Sequence, residues 1–435
     1  MNGYDVNSAH ELLEQHASIT FDPLVSEISG QINMQRVLPM QIGSLGPQNL
    51  LTFIFNSDNQ YVDLNRSYMN FDLQELQANG SVASTAANTL NTFGAESIFS
   101  QITETYAGTT LPYIQNFNLY KASVNTNANV TRQQLLSLTS GFIPNNGAAL
   151  CAGNTTGLIG GQGGMTIPAT ALAPSAPITY SVPVPLQALS SARQIPLCFL
   201  NGGIKLEIQL APYNQVYQLR NTTGAGANTY AISNVVLMLA FTKPPDDVLI
   251  DTQEKLNAGQ FLDLPLELVK NYSISLQAGT TQQITQYIGY YKSLNSVTVL
   301  YRKAANLNGA NPLFFSTDTL STWFLNLNTQ RYPQNKEIYC EGRTPLSREN
   351  QINIVRAFNT QLDSISPYVA AYNGMMYWSW KENHSFQSGI SSNNGVFQWI
   401  ATFSTTCSSG DTIDLFLNYD VPLRIGASGI SFSLS

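Results

Sequence analysis

Chemistry on a protein needs a few side-chain types at a few spacings, and in this sequence those types are sparse. There are three histidines, His10, His16 and His384. His10 and His16 stand six apart, which is not one helix face, so they make neither a metal pair nor a catalytic dyad. Cys151, Cys198, Cys340 and Cys407 are scattered without a C-x-x-C or a zinc-ligand spacing. They read as free thiols, with Cys198 and Cys340 in apolar strands. The glycines at 160–164 lack a flanking strand–helix pattern, and no Gly-Lys pair occurs, so no phosphate loop is expected. Asp246-Asp247 is a carboxylate pair, but it follows Pro244-Pro245, and capping a helix start explains it. Carboxylates brought together from distant strands could still make a β-sandwich glycosidase. Trp378 and Trp380 alternate in YWSW, the spacing of a sugar platform or of a packed strand. The expectation is a chain that is not an enzyme and carries no catalytic, cofactor or metal site.

The composition points away from such sites and toward surfaces. The 435 residues suit two domains of about 200. Apolar residues make up 43%, enough for large cores, and aromatics 10%, which argues against disorder. Charged residues are only 11%, against roughly 25% in an ordinary soluble protein. Asn, Gln, Ser, Thr and Tyr stand in for Lys and Glu. Burying such side chains costs less than burying charges, so this surface suits a protein that meets copies of itself over wide areas. The net charge is −7 with no Lys/Arg run, which disfavours direct binding of nucleic acid. The start, MNGYDVNSAHELLEQH, lacks the basic and apolar regions of a signal peptide, and no apolar run is long enough to span a bilayer. Seven N-x-S/T sequons, Asn129, Asn154 and Asn271 among them, are therefore read as unused.

The elements are mostly strands. Residues 8–16 predict a short helix with a Ser8/Glu11 capping box. In YVDLNRSYMNFDLQ (61–74), Ser67, Met69, Phe71 and Leu73 alternate with Tyr68, Asn70, Asp72 and Gln74, the pattern of a half-buried strand. Residues 143–177 are rich in Gly, Ala and Pro without a charge and read as a long exposed loop. IPLCFLNGGIKLEIQL (195–210) reads as a hairpin through Asn201-Gly202-Gly203. Residues 229–242 are apolar on both faces. KPPDDVLIDTQEKLNAG (243–259) reads as a junction, with a helix that Asp246 caps and Gly259 ends. Strands then resume, interrupted by a helix over 345–362. The reading is all-β, two consecutive eight-stranded jelly-roll sandwiches with a few short helices. Residues 1–32 form an arm, 33–245 the first roll and 246–435 the second. No internal sequence repeat relates the halves.

YVDLNRSYMNFDL resembles the first-domain motif of double jelly-roll major capsid proteins, the group of virophages, polinton-like viruses and, more distantly, adenovirus hexon. Tyr61, Asp63, Leu64, Arg66, Ser67 and Tyr68 match it. IPLCFLNGGIKLEIQL, with Gly202 and Gly203, is similar to a strand–Gly-Gly–strand piece of that group. YAISNVVLMLAF resembles its closing strand, and FLNLNTQRYPQ, with Pro333, a second-domain strand and its turn. The resemblance implies two rolls side by side and a homotrimeric, pseudo-hexagonal capsomer tiling the icosahedral shell of a double-stranded DNA virus. It further implies contacts with neighbouring capsomers, penton and minor capsid proteins, and an inner membrane where one exists. The place would be the virion, after synthesis in the host cytoplasm without secretion. It makes Asp63, Leu64, Arg66, Tyr68, Gly202, Gly203 and Pro333 structural motif positions. The composition leaves one other reading, a carbohydrate- or receptor-binding module such as a fibre or adhesin, motivated by Trp378, Trp380 and the sequons.

Overall fold

The computed structural model describes residues 32–77, 79–81, 89–91, 93–126, 128, 130–141, 177–187, 194–218, 228–307, 312–313, 319–334, 337–339, 375–380, 389–392, 395–426 and 429–432. The expected helices at 8–16 and 345–362, nearly all of the 143–177 loop, all three histidines, Cys151 and Cys340 lie outside these residues.

Sixteen strands carry the architecture. In the first half they are β1 (Ile32–Val37), β2 (Leu50–Phe55), β3 (Tyr61–Gln77), β4 (Phe99–Tyr106), β5 (Thr109–Thr110), β6 (Ile178–Pro183), β7 (Ile204–Leu210) and β8 (Asn228–Thr242). In the second they are β9 (Leu262–Ser275), β10 (Gln282–Ile288), β11 (Leu294–Arg302), β12 (Leu320–Leu327), β13 (Gln330–Tyr332), β14 (Met375–Ser379), β15 (Val396–Phe403) and β16 (Thr412–Gly426). The first half pairs them antiparallel as β1-β8-β3-β6 and β2-β7-β4-β5. The second repeats that order strand for strand, as β9-β16-β11-β14 and β10-β15-β12-β13. Each half is thus a jelly roll of two packed sheets, and the chain is a double jelly roll. The repeat absent from the sequence is present in the topology.

Alternation decides which faces meet. On β3, Ser67, Met69, Phe71, Leu73 and Glu75 are buried while Tyr68, Asn70, Asp72 and Gln74 are half-buried, as the sequence predicts. On β7, Ile204, Leu206, Ile208 and Leu210 all point into the core. Each such residue taken from water contributes roughly 1.5–3 kcal/mol. β8, β11 and β16 are buried on both faces over much of their length.

Two local expectations need correction. Residues 195–200 do not pair with β7 as a hairpin. Only Ile195 bridges, to Val62, and Leu197–Phe199 form a 3-10 turn that holds Cys198. Jelly-roll order places β2 and β4 beside β7 instead, so non-local pairing overrides the local turn. Asn201-Gly202-Gly203 still turns the chain, with φ of 93° and 69° at the two glycines. A β-carbon on Gly203 would collide with the Phe55 carbonyl at the end of β2. Gly203→Ala is therefore expected to cost about 2 kcal/mol or more, read as a lowered denaturation midpoint, whereas Gly80→Ala, which has open space, should cost less.

The second correction concerns the junction. α3 (Asp246–Asn257; α1 and α2 are given below) does follow Pro245, but Asp246 makes no capping hydrogen bond. Its carboxylate pairs with Lys243 Nζ at 2.9 Å. Pro245 already occupies the cap position, so Asp246 falls inside the first turn, where it still favours the helix dipole. Gly259 ends the helix as expected, at φ 82° with its N–H on the Leu256 carbonyl.

Candidate functional site

The sequence motif 63–68 folds as a bulge. Met238 of β8 lies opposite Tyr68, but Ala240 lies opposite Asp63, so residues 64–67 loop out of β3. Side chains replace the lost ladder bonds. The Asp63 carboxylate accepts the Asn65 N–H at 3.0 Å. Ser67 Oγ donates to the Asp63 carbonyl at 2.6 Å and accepts the Ala240 N–H at 3.0 Å, plugging the gap. Arg66 approaches Asp63 at 3.5 Å but is 62% exposed, and such a surface pair contributes little. Asp63→Ala is expected to lower stability by about 1 kcal/mol, read as a lowered denaturation midpoint. An unchanged midpoint would remove Asp63 from any structural role.

The bulge gathers Asp63, Leu64, Arg66 and Tyr68. Gly202 and Gly203 form the turn into β7, which belongs to the other sheet of the same roll, and Pro333 is buried in the second roll. The turn of FLNLNTQRYPQ is made by Asn328-Thr329, at φ 51° and 74°, and not by Pro333, which follows β13. Trp378 and Trp380 are half-buried, and Tyr332 packs on both, at 6.4 and 5.5 Å between centroids. Their own chain thus takes up the ring surface that a sugar platform would present. Burial pushes the Cys198 thiol up to about 12, so it stays protonated. The sequon residue Asn271 is buried and donates to the Leu415 carbonyl.

Where the two rolls meet, sequence reasoning missed the main players. They lie on α1 (Phe117–Thr126, followed by α2, Val130–Ser140), just before it, at Gln187, and across the seam on β9, β11 and β16. Asn116 Nδ2 donates to Asn271 at 3.3 Å and to the Asp414 carboxylate at 3.2 Å. Asp414, with none of its side chain exposed, holds Arg302 at 2.7 Å, and Arg302 also donates to the Pro312 carbonyl. The Tyr120 ring packs on Phe416 at 5.3 Å, and its hydroxyl reaches Asn418 at 3.4 Å. Gln187 donates its amide to the Val269 carbonyl at 2.9 Å and its N–H to Glu104. The outer face of β9-β16-β11-β14 is thereby roofed by the first roll through mostly uncharged hydrogen bonds.

A cavity of about 850 Å³ remains between the first roll, α1, α2 and β9, lined among others by Arg66, Tyr68, Lys121, Arg132, Gln187 and Glu267. Burial draws the Lys121 ammonium pKa below its usual value. Among the described residues, no group of three His, Cys, Asp or Glu could hold a metal ion, and no helix is long and apolar enough to cross a membrane.

The chain is similar in architecture to solved structures of viral proteins. VP54 of PBCV-1, fitted into a reconstruction of the virophage Sputnik, aligns with a TM-score of 0.61 at 10% identity, over 93% of this chain and 97% of that one. A chain of the Sputnik virophage structure aligns at 0.58 and 13% identity, over 93% and 89%. The mavirus major capsid protein aligns at 0.51 and 12%, over 95% and 93%. The likeness covers both rolls and establishes the double jelly-roll fold. Neither a family model nor a curated protein sequence matches the chain.

Proposed function

We propose that this chain is a major capsid protein, whose work is to pack against itself. The observation that carries this reading is the strand-for-strand repetition of one roll by the other, side by side in one chain. Three copies then supply six like sandwiches and a pseudo-hexagonal capsomer. A ring of this kind needs a head-to-tail interface, which closes when the rotation per copy is one third of a turn. The low charge fits, because amides, hydroxyls and phenols bond across interfaces without stranding buried charge. Weak contacts repeated over a shell suffice by multivalency. Neighbouring capsomers, penton and minor capsid proteins are the partners this reading supplies, and the virion is its place. Light scattering tests it: a trimer of about 143 kDa, three times the 47.6 kDa chain, is expected. A chain that stays at 47.6 kDa at high concentration would overturn it and turn attention to glycan binding.

A further inference from the structure

Two strands hold the same place in the two rolls and have different surroundings. β1 and β9 are each the first strand of their roll and the end strand of the corresponding sheet. The β9 edge is covered within the chain. Gln187 bonds the Val269 carbonyl, Lys270 Nζ lies over the Tyr113 ring at 5.2 Å, and Asn116 bonds Asn271. The β1 edge has no such roof among the described residues. On β1 itself Ile32 and Met34 are exposed, and in the segment that follows it Leu38 is exposed, Met40 is 63% exposed and Ile42 is 99% exposed, with the Met40 N–H on the Thr52 carbonyl of β2. Arg36 is the single charge in residues 32–42. An end strand with an apolar ridge invites pairing or covering, and monomeric proteins blunt such edges with charges.

We infer that the ridge Ile32–Met34–Leu38–Met40–Ile42 is an interface with a second copy of this chain, which covers β1 with its second roll much as the first roll covers β9 within the chain. This rests on the capsomer reading and specifies its contact. Repetition of one seam explains why the same edge is closed in one roll and, among the described residues, bare in the other. In a head-to-tail ring each copy both offers a β1 ridge and covers its neighbour's. The ridge supplies the apolar centre that stable interfaces carry inside a polar rim.

Methionine oxidation tests this in the unmodified protein. Peroxide attacks exposed thioethers and spares covered ones. In the assembled oligomer, Met34 and Met40 are expected to oxidise within about three-fold of the rate of Met69, which is fully buried in the core. A Leu38→Glu/Met40→Glu chain is expected to run as a monomer with unchanged far-UV circular dichroism, while Ile250→Glu, at an exposed position on α3, keeps the oligomer. A trimer in which Met40 oxidises much faster than Met69 would overturn the interface and leave the capsomer reading standing. An unmodified chain that is monomeric at every concentration would overturn both. If the double variant fails to fold, the oxidation rates of the unmodified protein decide.

Discussion

Replacing Asp414 by alanine is expected to destabilise the second roll by about 3–5 kcal/mol, the range for removing one partner of a buried ion pair. Asp414 has no exposed side-chain surface, and Arg302, which it holds at 2.7 Å, is nearly as buried. Without the carboxylate, the guanidinium keeps one hydrogen bond to the Pro312 carbonyl but has lost its counter-charge. Asn116 loses an acceptor in the same step, so the seam loosens along with the roll. Denaturant unfolding followed by a probe in each roll should show the second-roll transition moving to lower concentration. Asp414→Ala combined with Arg302→Met should recover part of the loss, because the stranded charge is gone. A loss below about 1 kcal/mol would mean that the buried pair carries little of the stability.

Alkaline pH is expected to unfold the chain steeply. Tyr106, Tyr217, Tyr230 and Tyr419 are buried, and burial raises each phenol well above its ordinary value near 10. The folded pKa exceeds the unfolded one. The stabilisation is therefore complete below pH 10 and is lost as pH rises, because the unfolded chain releases protons that the folded chain keeps. Each such phenol costs about 1 kcal/mol between pH 10 and 11, where its unfolded counterpart goes from half to nine-tenths ionised, so four cost about 4 kcal/mol, and about 1.4 kcal/mol each per further pH unit. Lys121 acts in the opposite sense and only below the ordinary lysine value, because its folded pKa is lowered. Absorbance near 295 nm should show some of the 21 tyrosines titrating only together with the loss of circular dichroism. A single titration of all of them near pH 10 in a folded chain would contradict the burial assigned to them.

How legible this was in the sequence depended on which residues face inward. β3, β7, β8 and β9 are apolar inward and were readable as strands. β10 inverts the rule, since Gln283 and Thr285 are buried while Ile284 is 57% exposed, and it gave no recognisable alternation. β4 points Glu104 into the interior, where Tyr106 and Gln187 bond it. α1 buries Asn118, Ser123 and Asn125, so its inner face looks polar and its period is hidden. β4 and α1 lie next to the seam, where buried polar side chains such as Glu104 and Asn118 are satisfied by hydrogen bonds from distant parts of the chain, whereas Gln283 of β10 bonds locally, to Gln277 and Thr280. The motif at 63–68 was visible as a pattern, but its bulge was not, because the missing ladder bonds depend on β8, some 170 residues away. The repeat of the two rolls was invisible because it resides in strand order and not in residue identity.

In the proposed capsomer the two rolls of one chain are two-sixths of a closed ring. Negative-stain images of the purified protein test it most directly. Three-fold particles with a hexagonal outline, each side one roll wide, are the predicted result. Single two-lobed particles at every concentration, with no closed rings among them, would contradict it.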